Sequence, residues 1–156
     1  MTLELVRLDD RLVHGQVVVG WGQALAISLV VLVDDRVRQS DWEQELYRMG
    51  MPPDMELRFA SVPEAIAAVP AWDASPRKTL VLTGDVDSLV RLVKGAGLRR
   101  VNIGGLHQQA DRRQRLRYIY LSDAEARELR CLADTGVEVV AQDVPTARPV
   151  PLNEIT

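Results

Sequence analysis

Apolar and polar positions follow two rhythms along this 156-residue chain. Short apolar runs at Leu3–Leu8, Ile27–Val33, Met55–Ala60, Lys78–Gly84, Arg99–Gly105, Arg115–Ser122 and Val137–Pro145 read as strands. The first is interrupted by Glu4 and Arg7. Leu29–Val33 and Thr79–Leu82 are apolar with little or no alternation, the pattern of strands buried on both faces of a parallel sheet. Between the runs, apolar residues recur at spacings of three and four. This predicts helices over Gln16–Leu25, over Val37–Met49 with Trp42, Leu46 and Met49 on one stripe, after Ser61, from Asp85 onward through Val86, Leu89, Val90 and Val93, and from Ser122 to about Thr135. Ser61 with Glu64 and Ser122 with Glu125 have capping-box spacing. Gly95, Gly97 and Gly136 mark helix ends. The segment from Thr146 to Thr156 reads as extended.

Strands separated by helices imply right-handed crossovers. The expected fold is α/β: one domain over residues 1–156, an open, mostly parallel twisted sheet with helices on both faces. Arg99–Ile103 and Leu116–Leu121 have no helix between them, so an antiparallel strand is expected at that edge.

Composition narrows the functional classes. Aromatic residues are 4% of the chain, so the core must be aliphatic, with Trp21 and Trp42 expected inside it. The formal net charge of −3 gives no overall basic field for nucleic acid. Four arginines crowd Arg112–Arg117, but no aromatic residue interleaves before Tyr118 and Tyr120. That cluster reads equally as a docking patch for an acidic partner and as a charged edge strand protected from aggregation. The lone Cys131 excludes an internal disulfide and a cysteine zinc cluster, and is expected as a small buried side chain. No apolar run reaches the roughly 18 residues that a membrane span requires. The first ten residues lack a signal-peptide pattern, so a cytoplasmic protein is expected. Neither a dinucleotide fingerprint nor a P-loop occurs.

The chemistry concentrates at Leu8–Gly15, LDDRLVHG, the bend between the first strand and the first helix. Open parallel sheets bind ligands beyond the carboxyl ends of their strands. Asp34–Asp35, Thr83–Gly84–Asp85 and Gly104–Gly105–Leu106–His107 end strands on the same rim. A neutral imidazole at His14 can attack phosphorus. Arg11 and the first helix amides, at Gly15 and Gln16, can hold the anionic oxygens, and an aspartate can orient the ring. The same residues also fit a capping and salt-bridge cluster. His107 reads either as a phosphate or partner contact or as a solvated loop residue. Gly104 and Gly105 read as a tight turn or as room for a phosphoryl group.

The string RLDDRLVHGQVVVGW, Arg7–Trp21, resembles the signature of the IIB component of the mannose–fructose–sorbose family of the bacterial sugar phosphotransferase system. VRLVKGAGLRRVNIGGLH (Val90–His107) and LADTGVEVVAQDVP (Leu132–Pro145) are similar to later segments of that family. The resemblance implies an open α/β sheet and a phosphotransferase. It implies that His14 accepts a phosphoryl group on Nδ1 from a IIA phosphocarrier and passes it to a sugar held by the membrane components IIC and IID. Arg11 matches the family's phosphoryl-binding arginine, and Asp9 and Asp10 its acidic pair. No cofactor or metal is implied, and self-association is compatible with the family. The segment after Gly105, LHQQADRRQRLR, departs from the family pattern, which leaves a regulatory phosphoprotein uncoupled from transport as the second reading. A non-covalent small-ligand domain is the third.

Overall fold

The computed structural model describes residues 3–156, the Gln16 side chain excepted. Seven strands form one sheet in the order β3-β2-β4-β1-β5-β8-β9. They are β1 Leu3–Leu8, β2 Leu29–Val33, β3 Glu56–Ala60, β4 Thr79–Thr83, β5 Arg100–Ile103, β8 Glu138–Ala141 and β9 Val150–Pro151. All neighbours run parallel except β9, which pairs antiparallel with β8. The antiparallel edge is therefore built by the tail, not by the segment after β5. A 3-10 turn, Leu152–Glu154, follows it.

The segment read as one strand, Arg115–Ser122, is a separate hairpin of β6 Arg113–Leu116 and β7 Ile119–Leu121. Leu106 fastens it: its N–H bonds Tyr118 O, and its carbonyl accepts from Tyr120 N–H, both at 2.9 Å.

Strand alternation sends Val6 and Leu8 to one face and Leu5 to the other. On the first face pack α4 Val62–Ala74, α5 Val86–Ala96 and α6 Asp123–Asp134. Both expected capping boxes close, Ser61 with Glu64 and Ser122 with Glu125. Gly95 lies within α5, and the left-handed Gly97 ends it. The second face is covered by a π-helix, Gln16–Trp21, running into the α-helical turn α1 Gly22–Ala24. Val37 and Tyr47 complete that layer.

The helix expected over Val37–Met49 is two helices, α2 Asp35–Arg38 and α3 Asp41–Met49. Asp34 starts the first early by accepting from the Arg36 and Val37 amides, both at 2.9 Å. The second docks through buried Gln44, whose amide donates to Val37 O and Arg38 O. That orientation turns the apolar stripe outward: Trp42 is 71% exposed, Leu46 58% and Met49 81%. Trp42 is thus a surface residue, whereas Trp21 is buried as expected. Cys131 is exposed as well, because Leu129 and Leu132 are the residues α6 turns inward. No helix among the described residues is long and apolar enough to cross a membrane.

Candidate functional site

The chain leaves β1 where the strand order reverses. β1 lies between β4 and β5, and its successor β2 lies beyond β4. The bend after Leu8 is stitched to both neighbours: Asp9 N–H bonds Thr83 O and Asp10 N–H bonds Gly105 O, each at 2.9 Å. Leu12 holds a left-handed conformation, φ 58°. For a non-glycine residue this costs about 1–2 kcal/mol. Its burial, with its side chain against Gly84, offsets that cost and pins the loop.

Alternation places Arg7 and Asp9 on the π-helix face of the sheet, and both side chains are fully buried. Arg7 reaches across the ends of β5 and β8. It donates to the Asn102 side chain and to the carbonyls of Gln142, at 2.8 Å, and Asp143, at 3.0 Å. Its guanidinium stacks over Trp21, 4.7 Å from the ring centre, and Trp21 donates to Asp143 O. Burial lowers the Arg7 pKa, and Asp9, 3.4 Å away, opposes that effect.

Asp9 is the hub. Arg11 forks onto it, Nε to Oδ1 at 3.0 Å and Nη2 to Oδ2 at 2.9 Å, and the Arg11 N–H also bonds Oδ1. His14 turns Nε2 toward the same oxygen at 3.5 Å, and that nitrogen is buried. Burial opposes ionisation of Asp9, but His14, Arg11 and Arg7 together outweigh it and hold the carboxyl well below the usual carboxylate range. Asp9 in turn raises the Arg11 pKa. The site is therefore a carboxylate enclosed by two guanidiniums and an imidazole. Asp143 and Asp10 add further negative charge near the two guanidiniums, so the positive groups of the site are largely offset in the resting state.

Gly104 and Gly105 make room for this cluster. A Cβ at Gly104 would overlap the Arg7 guanidinium and approach Asp9 Oδ2 to 2.7 Å. At Gly105 it would lie 3.0 Å from Arg11 Nε and Nη2. Neither glycine has a positive φ, so what they supply is space for arginines and not a turn conformation. Gly15 is exposed at the start of the π-helix, a Cβ there would meet nothing within 4 Å, and no side chain among the described residues caps this helix start. Of Gln16 only the backbone can be placed, since its side chain lies outside the described residues. The segment is a π-helix in place of the expected α-helix, a conformation found frequently at functional sites.

The two aspartates have separate tasks. Asp10 accepts from the His107 N–H at 2.7 Å and contacts its Nδ1 at 2.6 Å. Arg112 is almost entirely buried. It forks onto Glu125 at 2.8 and 2.9 Å and donates to His107 O. Arg113 and Arg115 pair with Asp123, and Arg117 with Asp143. Arg112 thus fastens the hairpin to the domain and is no docking residue, whereas Arg113 and Arg117 stay exposed. The other rim acids are structural too: Asp34 and Asp85 cap helices, and Asp35 accepts from Val62 N–H and Arg91.

Sequence reasoning assigned no role to Arg7, Asn102 or Gln142. One signal was available: Arg7 is a lone cation in an apolar strand, two residues before Asp9 and so on the same face.

A histidine, a carboxylate and an arginine at the switch point of an open parallel sheet define a class of protein, an α/β domain with a charged, histidine-bearing rim. Comparison with known proteins narrows that class. Residues 3–156 match the family model of the PTS system sorbose subfamily IIB component. The N-acetylgalactosamine-specific phosphotransferase enzyme IIB component 1 of Escherichia coli K12 is 35% identical over 146 residues, 90% of each chain. The sorbose-specific EIIB component of Lacticaseibacillus casei is 30% identical over 147 residues, covering 94% of this chain and 90% of that one. The crystal structure of the IIBSor domain of the sorbose permease from Klebsiella pneumoniae superposes with a TM-score of 0.88 at 25% identity, over 99% of this chain and 96% of that one.

The chain belongs to this family. It is a IIB component of the phosphotransferase system, a phosphocarrier and phosphotransferase of sugar uptake that works with IIA and membrane IIC and IID components.

Proposed function

We propose that His14 carries the phosphoryl group on Nδ1, and that Arg11 and the backbone amides of Gly15 and Gln16 bind it. The observation that carries this reading is the orientation of the ring: its buried Nε2 points toward Asp9 Oδ1 at 3.5 Å, which favours Nδ1 as the nucleophile. The carboxylate favours the tautomer with the proton on Nε2 and the lone pair on Nδ1.

The Nδ1 lone pair attacks the phosphorus of a phosphohistidine on the IIA partner. The P–N bond to the donor breaks, and its electron pair returns to the donor ring. His14 keeps its Nε2–H and becomes a phosphorylated cation, for which Asp9 is the counter-ion. Arg11 and the amides face the three phosphoryl oxygens, where charge develops in the transition state. Gly104 and Gly105 support this geometry by admitting Arg7 and Arg11. In the second transfer a sugar hydroxyl held by IIC and IID displaces Nδ1, its proton leaves to solvent, and the ring returns to neutral. On this reading residues 1–156 act as one IIB domain in the cytoplasm, against the permease.

Incubation with ³²P-phosphorylated IIA tests the assignment. Label on the wild type and none on His14→Ala supports it; equal label on both removes His14 from the reaction.

A further inference from the structure

His107 is an exposed residue held as firmly as a buried one. Its side chain is 68% exposed, yet Nδ1 contacts Asp10 Oδ1 at 2.6 Å and its backbone N–H reaches Oδ2 of the same carboxylate at 2.7 Å. Asp10 is itself fixed, through its N–H to Gly105 O and by Arg112, 3.8 Å away, which Glu125 clamps. Leu106, one residue earlier, is locked to the β6–β7 hairpin on both sides of its peptide. Among the described residues, the charged groups that contact His107 are Asp10 and Arg112, the latter held in turn by Glu125. Fastening the loop needs only the backbone bond and Arg112, whose Nη1 donates to His107 O at 2.8 Å. Fixing the ring as well costs side-chain entropy, which the loop alone does not require.

The residue also lies close along the chain to the Arg11 site. Gly105, two residues earlier, lies against the Arg11 guanidinium. Two residues of chain span at most about 7 Å. The two imidazoles, His14 and His107, are thus oriented by consecutive carboxylates of one bend, Asp9 and Asp10.

Building on the reading of His14 given above, we propose that His107 is a second phosphoryl-contacting group: its ring, aligned by Asp10, donates Nε2–H to an oxygen of the phosphoryl group during transfer to His14. With Nδ1–H directed at Asp10, Nε2 bears a proton only in the imidazolium form, so the contact is made by a cation. It forms no covalent bond, and the proton stays on the ring. His107 adds a positive donor to that of Arg11.

The test is the initial rate of His14 phosphorylation by phosphoramidate, read by mass spectrometry across the pH range in which imidazoles titrate. Variant-to-wild-type ratios cancel the donor's own pH dependence. His107→Gln is expected to be about tenfold slower than wild type at the acid end, the scale of one charge-assisted hydrogen bond, and to converge with it at the alkaline end. His107→Lys keeps a cation that does not titrate in this range. Its ratio to wild type is expected to rise with pH, a rescue that a loop-fastening role does not produce. A His107→Gln ratio within twofold of one at every pH, or equal behaviour of the Gln and Lys variants, overturns the proposal. If wild type takes no phosphoryl group, or His14→Ala takes as much, the failure belongs to the His14 assignment instead.

Discussion

Asp9 meets His14 from the buried side, Oδ1 to Nε2, 3.5 Å apart. The contact is longer than a full hydrogen bond, as in many resting sites whose bonds tighten only when the reacting group is bound. On the proposed role of His14, it matters most after transfer, when the phosphorylated ring would be a cation.

Asp9→Asn removes that counter-ion and leaves Arg7 buried without its carboxylate. Breaking a buried pair by removing one partner costs about 3–5 kcal/mol. Denaturant unfolding is expected to show a loss of that size, and single-turnover transfer to slow at least tenfold.

The same carboxylate sets a pH signature. Burial opposes its ionisation, but His14, Arg11 and Arg7 depress its pKa below the unfolded value of about 3.9. A depressed carboxylate pKa gives stability that is fully present above the unfolded value and is lost as pH falls through the folded one. The gap in Tm between wild type and Asp9→Asn should therefore be constant from neutral pH down to about pH 5 and narrow below about pH 4. A gap that widens on acidification contradicts this.

Arg11 is partly exposed and forks onto Asp9, so its removal acts on transfer more than on folding. Arg11→Ala is expected to slow transfer from phosphorylated IIA about 100-fold, the scale of losing one preorganised charged donor, while unfolding stays cooperative. An unchanged single-turnover rate removes Arg11 from the mechanism.

Much of this was legible in the sequence. The parallel strands appeared because Leu29–Val33 and Thr79–Leu82 are buried on both faces. The bend appeared because charged residues interrupt an apolar rhythm at a strand end. Three misreadings share a physical cause, the tertiary partner that periodicity does not contain. The stripe Trp42, Leu46 and Met49 has helical spacing, but Gln44 docks α3 and turns the stripe to solvent. Arg112 looked like surface charge, but Glu125 draws it inward. Gly104 and Gly105 looked like a turn, but they are gaps for two guanidiniums.

The glycine pair gives a graded test. Gly104→Ala places a methyl where the Arg7 guanidinium sits, and is expected to cost about 3 kcal/mol in denaturant unfolding, the upper range for overpacking a core. Gly105→Ala meets the end of a flexible Arg11 side chain at 3.0 Å. It should cost less than about 1 kcal/mol yet slow transfer by displacing Arg11.

The tryptophans separate core from surface. Trp21→Ala is expected to cost about 3–5 kcal/mol, since the ring is buried under Arg7. Trp42→Ser should stay within about 0.5 kcal/mol of wild type by thermal or denaturant unfolding.

The most direct measurement is ¹⁵N NMR of the imidazoles after phosphorylation by IIA. The predicted spectrum has phosphorus on Nδ1 of His14, with Nε2 of the same ring still protonated. Phosphorus on Nε2 of His14, or on His107, would contradict the account.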